Sequence, residues 1–300
     1  MNVTQLRAFV SVVDLGSFSE AARQSGISQP AVTMQIKALE SEVGATLLER
    51  RYHRVNLTEA GHALLPHARN ILAELGRAGE DIAALSDSIT GRLVIAASTT
   101  PGDYVIPRLL GDFVRMHPQV HVEIAVHDTA GAVAAVASGE ADLGVCGAET
   151  PSAKVVFEEL GCDEIVTICP LDHPLAGQTD VPFSALAEAD WVGRETGSGT
   201  GRTVRAALES HGVDPDELRV IAELGSGEAI VSAVEGGLGI AMLSERVASK
   251  ALQLGTIARV EVEGPSIRRT FFIVVPNTTP TRAADAFRAY LREALGGKTS

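Results

Sequence analysis

Apolar residues recur at helical spacing along the first 45 residues and predict three short helices. One face of the opening helix carries Leu6, Phe9, Val10 and Val13. This spacing is typical of an amphipathic helix that covers a core. Ser17 and Glu20 have the spacing of a capping box, which predicts a second helix, and Gly26 can end that helix in a left-handed conformation.

The third helix is predicted from residue 28 onward. Ser28 can cap it, and Pro30 fits its first turn, where a missing N–H costs nothing. The residues expected to face a core are Val32, Ile36, Leu39 and Val43. The opposite face carries Gln29, Thr33 and Lys37, spaced four apart. Such a polar and basic stripe favours a helix that reads the major groove of DNA, and the alternative is a helical hairpin with a solvated polar face.

Two short strands around a basic tip are predicted for residues 47–57, shortly after Gly44. The tip contains Arg50, Arg51, His53 and Arg54. A β-ribbon with arginines at its tip can reach an adjacent minor groove or the phosphate backbone. A solvated loop would not explain why arginine is concentrated here in a chain of net charge −13.

From Thr58 the pattern predicts one long helix, to about Ser86. Steps of four and three residues separate Leu64, Ala68, Ile71, Leu75, Ala78, Ile82 and Leu85. This is the spacing of a coiled coil, and a helix of this length would extend for about 40 Å. We therefore predict a homodimer through residues 59–86. The alternative is a helix that packs on its own domain.

From residue 91 strands alternate with helices. Strands are predicted at 93–97, 120–126, 142–147, 164–169, 191–193, 220–224, 239–243 and 270–275. Helices are predicted at 104–116, 132–137, 200–211, 228–235 and 281–295. This alternation predicts a parallel sheet with helices on its faces, in a two-lobed, periplasmic-binding-protein-like α/β domain at 91–300. Lobe one would comprise 91–161 and 267–300, and lobe two 162–266.

Hydroxyl-rich turns follow three of these strands and predict a ligand site between the lobes. The candidate residues are Ser98, Thr99, Thr100, Gly147, Thr196, Ser198, Thr200, Gly225 and Ser226. In open α/β sheets ligands bind beyond the carboxyl ends of the strands, where helix N-termini present N–H groups to an anion. A ligand that contacts both lobes would favour their closure and change how the protein binds DNA. The alternative is that each turn only caps a helix.

Residues 1 to about 58 resemble the winged helix-turn-helix of LysR-type transcriptional regulators, and a weaker similarity continues to the end of the chain. The matching positions are Leu6, Phe9, Ser17, Ala21, Ala22, Ser28, Gln29, Pro30, Ala31, Ile36, Leu39, Glu40, Gly44, Leu47, Arg50, Thr58, Gly61 and Leu64. The resemblance implies that bases of promoter DNA are contacted by Gln29, Pro30, Thr33 and Arg54. It implies that phosphates are contacted by Ser28, Lys37, Arg50 and Arg51. Met34 departs from the small or polar residue often found beside them.

The same resemblance implies an antiparallel dimerisation helix and assembly into a homotetramer, with RNA polymerase as a further partner if the chain is an activator. The run Ser98–Pro101 and the segment Glu223–Ile230 resemble members that control cysteine synthesis or carbon fixation. Those members respond to small anionic or phosphorylated metabolites, so a small anionic effector is expected. Gly227 replaces a longer polar residue common in that turn.

Charge and hydropathy limit the other classes of protein. Residues 1–58 carry six basic and five acidic side chains, so the acidic surplus lies outside the predicted DNA-binding domain. A single, nearly neutral DNA-binding domain is expected to have only moderate affinity for DNA, and an oligomer that binds through several such domains would have a higher affinity. No signal peptide is evident and no apolar stretch approaches about 18 residues, so we expect a cytoplasmic protein that does not bind membranes.

Enzymatic motifs are not evident. The segment Gly197–Thr203 matches neither a phosphate-binding loop nor a dinucleotide fingerprint, and no G-x-S-x-G elbow occurs. We predict no catalytic residue, no cofactor and no metal site.

Two alternatives to an effector-binding regulator stay open. Cys162 and Cys169 could make the protein a redox-sensing regulator of the same fold, whereas the other interpretation is that these two cysteines and Cys146 are ordinary reduced thiols. A small-molecule-binding protein without a regulatory role would explain residues 91–300 but not the head or the coiled coil.

Overall fold

The computed structural model of the 300-residue chain describes residues 1–51, 54–83, 89–195 and 197–296. The chain forms two compact units. The first comprises Met1–Ser88 with Ser138–Glu140, and the second Ile89–Ala137 with Ala141–Ser300. Among the helices in these described ranges, none is long and apolar enough to cross a membrane.

The first unit contains the elements that the pattern predicts. They are α1 (Val3–Leu15), α2 (Phe18–Gln24), α3 (Gln29–Val43), β1 (Leu48–Arg51), β2 (Arg54–Leu57) and α4 (Glu59–Ala83). Apolar side chains of α1 and α3, together with Leu47 just before β1, form its core, and the helix residues include Leu6, Phe9, Val12, Val32, Ile36 and Leu39. The helix-turn-helix with a β-hairpin is therefore present as predicted.

Capping at the start of this unit differs in detail from the prediction. The Ser17 hydroxyl accepts a hydrogen bond from the Glu20 N–H at 3.3 Å, but the Glu20 carboxylate binds Arg23 instead of reaching back. The capping box at α2 is therefore only half formed. The complete box is at α1, where Asn2 and Gln5 bond each other reciprocally at 3.0 and 2.7 Å.

The predicted inward position of Val43 is wrong. Val43 is 40% exposed, whereas Leu39, one turn earlier, is fully buried. Helix α3 extends past the core before Gly44 ends it with a φ of +71°. The last apolar position of the repeat therefore faces outward.

Gly61 sets the distance between α4 and the hairpin. A Cβ at this position would lie 2.2 Å from the Leu47 carbonyl oxygen, closer than any side chain could approach. Only glycine therefore allows α4 to start directly against β1. The Thr58 hydroxyl accepts a hydrogen bond from the Gly61 N–H at 3.1 Å, as predicted for the cap of this helix.

The apolar stripe of α4 divides into two parts. Ala68 is fully buried in the core of the first unit, so here the helix packs on its own domain. Ile71 and Leu75 are 38% and 45% exposed. The side chain of Ile82, and Leu85 altogether, lie outside the described residues. Among the described residues of the stripe, Ala68 therefore belongs to the domain core, whereas Ile71 and Leu75 face outward.

The second unit contains seventeen further elements in the described ranges. They are β3 (Thr90–Ser98), a π-helix (Pro101–Val105), α5 (Ile106–Met116), β4 (Gln119–His127), α6 (Thr129–Ala137), β5 (Leu143–Cys146), β6 (Val155–Cys169), α7 (Phe183–Ala187), β7 (Asp190–Arg194), α8 (Gly199–Ser210), β8 (Arg219–Leu224), α9 (Gly227–Glu235), β9 (Ala241–Ser244), α10 (Glu245–Leu254), β10 (Ala258–Val260), β11 (Ile267–Pro276) and α11 (Arg282–Gly296). Every strand and helix predicted after residue 91 has its counterpart here. The sequence pattern did not indicate α7, α10 and β10.

The sheet is mixed, which corrects the prediction of a parallel sheet. β3 pairs in parallel with β4 and β5, but β11 is antiparallel to both β5 and β6. β9 is antiparallel to β6, and a bridge between Trp191 and Ile240 joins it to the parallel pair β7–β8. The antiparallel pairs arise because β6 and β11 carry the chain between the lobes in opposite directions.

β6 and β11 pair from Val155 opposite Pro276 to Ile165 opposite Ile267. Their register shifts between Phe271 and Phe272, opposite the bend at Gly161, whose φ is +149°. The shift lies where lobe one was predicted to end, at residue 161. The limits of the two lobes stay a prediction.

Candidate functional site

A small polar cavity lies between the two lobes of the second unit, at the carboxyl ends of β3, β4 and β7. Its lining residues are Ser98, Thr99, Thr100, Asp128, Thr129, Arg194, Ser198, Gly199, Thr200 and Arg269. Its volume of about 10 Å³ is room for about one water molecule. The lobes are thus closed on one another, and a larger ligand requires them to separate. We call this space the inter-lobe cavity.

The inter-lobe cavity unites five residues of the predicted ligand site, from two hydroxyl-rich turns. They are Ser98, Thr99, Thr100, Ser198 and Thr200. Gly147 lies beside them, because a Cβ there would be 3.1 Å from Nη1 of Arg269. Thr196 lies outside the described residues.

The third predicted turn does not line the inter-lobe cavity. Gly225 is exposed, and the Ser226 hydroxyl accepts a hydrogen bond from the Ala229 N–H at 3.1 Å as the cap of α9. The turn follows β8, which is one strand farther out than β7. It is linked to the cavity through the bond that Nη2 of Arg194 donates to the Gly225 carbonyl at 3.3 Å. Ser198 caps α8 in the same way, so the cap bond alone does not decide the role of Ser226, which stays a prediction.

A buried ion pair forms one wall of the cavity. Arg269, on β11, is 7% exposed, and its Nε donates to Oδ2 of Asp163 at 2.8 Å. Its Nη1 donates to the Thr200 hydroxyl at 2.7 Å. Asp163 also accepts a hydrogen bond from the Ser244 hydroxyl at 2.8 Å. Burial lowers the pKa of Arg269, and the neighbouring Asp163 carboxylate opposes that shift.

Nη2 of Arg269 is not satisfied by this pair. It lies 2.7 Å from Oδ2 of Asp163, but makes no well-directed hydrogen bond to any residue that the structure describes. The buried Thr129 hydroxyl has no hydrogen-bond partner within the same described ranges. Both groups belong to residues that line the inter-lobe cavity.

Arg194 connects the two lobes. Its Nε and Nη2 bind the two carboxylate oxygens of Glu195, each at 2.9 Å. Nη2 also donates to the Thr99 hydroxyl of lobe one at 3.4 Å. Since its side chain is only 4% exposed, Arg194 is a second largely buried guanidinium group at the cavity.

Lobe two has glycine at two positions that face the turn after β4. A Cβ on Gly199 would lie 2.9 Å from the Thr129 hydroxyl oxygen. A Cβ on Gly197 would lie 2.9 Å from Oδ2 of Asp128. Side chains at these positions would displace the Thr129 and Asp128 side chains.

A second polar contact between the lobes is on the side of the π-helix. The Tyr104 hydroxyl donates to Oε1 of Glu228 at 2.8 Å. Burial, followed by the nearby Glu228 carboxylate, raises the pKa of Asp103. This contact helps to hold the closed arrangement.

In the first unit, α3 presents the predicted polar stripe. Gln29 and Lys37 are exposed, and Thr33 is partly exposed. The Thr33 hydroxyl donates to the Gln29 carbonyl at 3.0 Å, which leaves its oxygen able to accept. Met34 beside them is 70% exposed.

The start of α3 is also as predicted. The Ser28 hydroxyl accepts a hydrogen bond from the Ala31 N–H at 3.4 Å, and Pro30 is exposed in the first turn. Strands β1 and β2 pair antiparallel, with Arg50 opposite Val55 and Arg51 opposite Arg54. The three arginines therefore lie in the hairpin. Their side chains, and residues 52–53 at the tip, are outside the described part of the chain.

The cysteines do not form a disulfide-ready pair. Cys162 and Cys169 lie seven residues apart on the same strand, about 23 Å at the usual rise, whereas bridged cysteines have Cα atoms within about 7 Å. Burial raises the pKa of Cys146 and of Cys169 to about 11. Cys162 is exposed. A redox switch that joins Cys162 to Cys169 would require β6 to unravel.

Two family models cover nearly the whole chain. Residues 3–62 match the model described as bacterial regulatory helix-turn-helix protein, lysR family, and residues 86–296 match the LysR substrate binding domain. The chain belongs to the LysR family. Members of this family are DNA-binding transcriptional regulators with an effector-binding domain, so the predicted function class is confirmed.

Relatives of this LysR-type regulator include one from Porphyra purpurea. This "Probable RuBisCO transcriptional regulator" is 35% identical over 290 residues, covering 94% of this chain and 90% of the relative. The CcmR regulatory domain of Synechocystis PCC6803, solved in complex with 2-PG, is 30% identical with a TM-score of 0.64, covering 70% of this chain and 99% of that domain. The expected resemblance to regulators of carbon fixation is confirmed.

A full-length OxyR variant from Pseudomonas aeruginosa has a TM-score of 0.79 and 24% identity, covering 97% of this chain and 95% of that one. At this identity the similarity concerns the fold. It confirms the predicted combination of a helix-turn-helix head with a two-lobed α/β domain.

Sequence patterns did not indicate several residues of the inter-lobe cavity of this LysR-type regulator. Asp128 and Thr129 follow β4, and Arg194 ends β7, so the rule that ligands collect beyond strand ends could have found them. Arg269 lies inside β11, and its partner Asp163 inside β6. No local signal identifies these two, because their position depends on how the two crossing strands pair.

Proposed function

We propose that this LysR-type regulator binds a small anionic metabolite in the inter-lobe cavity, and that lobe closure on this ligand alters how it binds and bends promoter DNA. The supporting observation is that Nη2 of Arg269 and the Thr129 hydroxyl are buried at one cavity without hydrogen-bond partners among the described residues. Buried polar groups are normally hydrogen-bonded. Two such groups at one cavity favour a ligand that accepts hydrogen bonds.

The site recognises an anion through its donors more than through net charge. Arg269 is paired with Asp163, and Arg194 with Glu195, so each guanidinium charge is already balanced. The N-terminus of α8 adds oriented N–H groups, and the Thr100 hydroxyl makes no capping bond at the π-helix. The complex of the related CcmR domain with 2-PG supports a small metabolite as the ligand class.

Thr100→Ala is expected to abolish effector binding without altering the fold. Thr100 is 4% exposed at the cavity, so its hydroxyl is placed to bond a ligand there. In a thermal-shift screen of the full chain against 2-PG and other small metabolic anions, a ligand at 100 times its Kd should stabilise the wild type by about 2.7 kcal/mol. The variant should not respond to the same ligand.

Thr256→Ala is the matched control, because Thr256 is exposed and bonds Glu235 away from the cavity. It should respond like the wild type. A ligand that stabilises Thr100→Ala as strongly as the wild type would contradict the proposed site. The absence of any responding anion would favour helix caps over an anion site.

For DNA, the proposed base contacts are Gln29, Pro30, Thr33 and Arg54, and the proposed phosphate contacts are Ser28, Lys37, Arg50 and Arg51. The exposure of Gln29 and Lys37 on one face of α3 supports the assignment. The position of the arginines in the adjoining hairpin supports it further. Together they form a helix for the major groove and a ribbon for the backbone or minor groove.

Replacing Gln29 and Thr33 by alanine should remove sequence-specific binding and leave the fold intact. Each lost base contact reduces discrimination by about 1–3 kcal/mol. The measurement is the ratio of affinities for an operator selected by the wild type from random DNA and for the same DNA shuffled. Thr4→Ala with Gln24→Ala, exposed positions outside α3, should keep the wild-type ratio. A ratio unchanged in the α3 variant would refute the assignment.

The remaining proposals concern assembly. Residues 59–86 would join two copies in an antiparallel homodimer, and dimers would join into a homotetramer. RNA polymerase would be a partner if the chain activates transcription. The regulator would act in the cytoplasm by binding alone, without catalysis. Its domains would be a DNA-binding head at 1–58, a linker and dimerisation helix at 59–90, and an effector domain at 91–300.

A further inference from the structure

The second unit has a larger groove on α5, α10 and the crossing strands β6 and β11. We call it the hinge groove. Its volume of about 770 Å³ lies within the range of about 300–1,000 Å³ typical of small-molecule sites. None of its lining residues lines the inter-lobe cavity. It is therefore a separate site from the one proposed above.

The hinge groove is rich in charge, and its negative groups are already engaged. Four arginines and three carboxylates line it. Glu164 and Glu245 both bind Arg259, each at 2.9 Å. Asp163 binds Arg269. Arg259 is shared by these two glutamates and by Glu261, and Asp163 contacts Arg246 as well as Arg269.

Two arginines of the groove have no such partner. Arg108 on α5 and Arg268 on β11 are exposed, and neither side chain makes a hydrogen bond or ion pair with any residue in the described ranges. Arg246, in the first turn of α10, contacts Asp163 only through Nε, at 3.3 Å. The α10 N-terminus, which starts at Glu245, adds a positive helix-dipole end.

We propose that the hinge groove binds a second small ligand that carries two oxyanion groups, held by Arg108, Arg246 and Arg268. Guanidinium groups bind carboxylate and phosphate oxygens in pairs of parallel hydrogen bonds. Three guanidinium groups with free donors can therefore hold two such oxyanions. Of the four arginines that line the groove, Arg108 and Arg268 are without an ion-pair partner among the described residues, in a chain whose net charge is −13.

One buried carboxylate connects the two sites. Asp163 is 1% exposed, and it contacts Arg246 on the groove side and Arg269 on the side of the inter-lobe cavity. A ligand that draws Arg246 away from Asp163 leaves this carboxylate to Arg269 and Ser244. The two ligand sites would therefore be linked through Asp163, which contacts one arginine at each of them.

Cys162 offers a direct readout, because it is exposed in the hinge groove whereas Cys146 and Cys169 are buried. The experiment measures how fast the uncharged reagent N-ethylmaleimide modifies Cys162 in the full-length protein. Inorganic pyrophosphate serves as the probe, and sodium chloride at equal ionic strength as the reference. At ten times its Kd, pyrophosphate should slow the reaction by about tenfold, with a saturable concentration dependence.

The double variant Arg108→Gln with Arg268→Gln should weaken this protection by about tenfold or more, since two unpaired cations are lost. Both side chains are exposed, so the fold should be unaffected. Lys250→Gln removes one positive charge from an exposed position on α10 that does not line the groove, and should keep full protection. Absence of protection in the wild type would overturn the proposal, as would equal protection in the double variant or equal loss in Lys250→Gln. The readout does not depend on occupancy of the inter-lobe cavity.

Discussion

Asp163→Ala should lower the free energy of unfolding of the second unit by about 3–5 kcal/mol, because removal of one partner leaves a buried charge uncompensated. Arg269 would stay in an environment where it is 7% exposed and would lose its counter-ion. Ser244 would lose its hydrogen-bond acceptor as well. The measurement is urea unfolding followed by the fluorescence of Trp191, the single tryptophan, which is buried in lobe two.

The matched control removes a carboxylate that is also paired with an arginine but is exposed to solvent. Glu123 binds Arg92 at 2.5 Å, and the two side chains are 43% and 62% exposed. Glu123→Ala should cost less than about 1 kcal/mol, as solvent screens such a pair. If Asp163→Ala costs no more than Glu123→Ala, the buried pair does not stabilise the unit as its geometry indicates.

Replacing Ile71 and Leu75 by lysine should convert the protein to monomers and weaken its affinity for operator DNA by about 10²–10⁴-fold, the usual gain from two linked binding modules. The two side chains are 38% and 45% exposed on α4. A lysine pair would place two charges in the seam between helices. The mass by light scattering and the affinity by fluorescence anisotropy are the measurements.

Ala73→Lys with Gly76→Lys adds the same charge on a different face of α4, where Gly76 has open space around it. That variant should keep the mass and DNA affinity of the wild type. Dimers that persist in the Ile71 and Leu75 variant would show that α4 is not the main contact between copies. Monomers in both variants would show a general effect of charge on the helix.

The helix-turn-helix head was largely predictable because its signals are local. A cap at Ser28, a proline in the first turn and a glycine at residue 44 define α3 within the span of the helix itself. The repeat Val32, Ile36 and Leu39 identifies its buried face. The prediction that Val43 is buried was wrong because the apolar repeat of α3 continues beyond the end of the core.

The inter-lobe cavity was predictable only in part. Hydroxyl turns after β3 and β7 were found because strand ends and glycine-rich turns are visible in sequence. Ser226 follows the same pattern but does not line the cavity, since β8 lies one strand beyond β7. Strand order cannot be derived from the pattern of a single strand.

Local patterns were sufficient to identify the family, the helix-turn-helix head with its polar face on α3, and the alternation of strands and helices, because caps, spacing and turn residues act over a few positions. The tertiary structure was needed to establish which turns meet, that the sheet is mixed, and that Ala68 belongs to the core of its own unit. It also decided that Arg269 and Asp163 form a buried pair, since they lie 106 residues apart on crossing strands. Contacts between such distant positions depend on strand pairing and lobe closure, which no local pattern encodes.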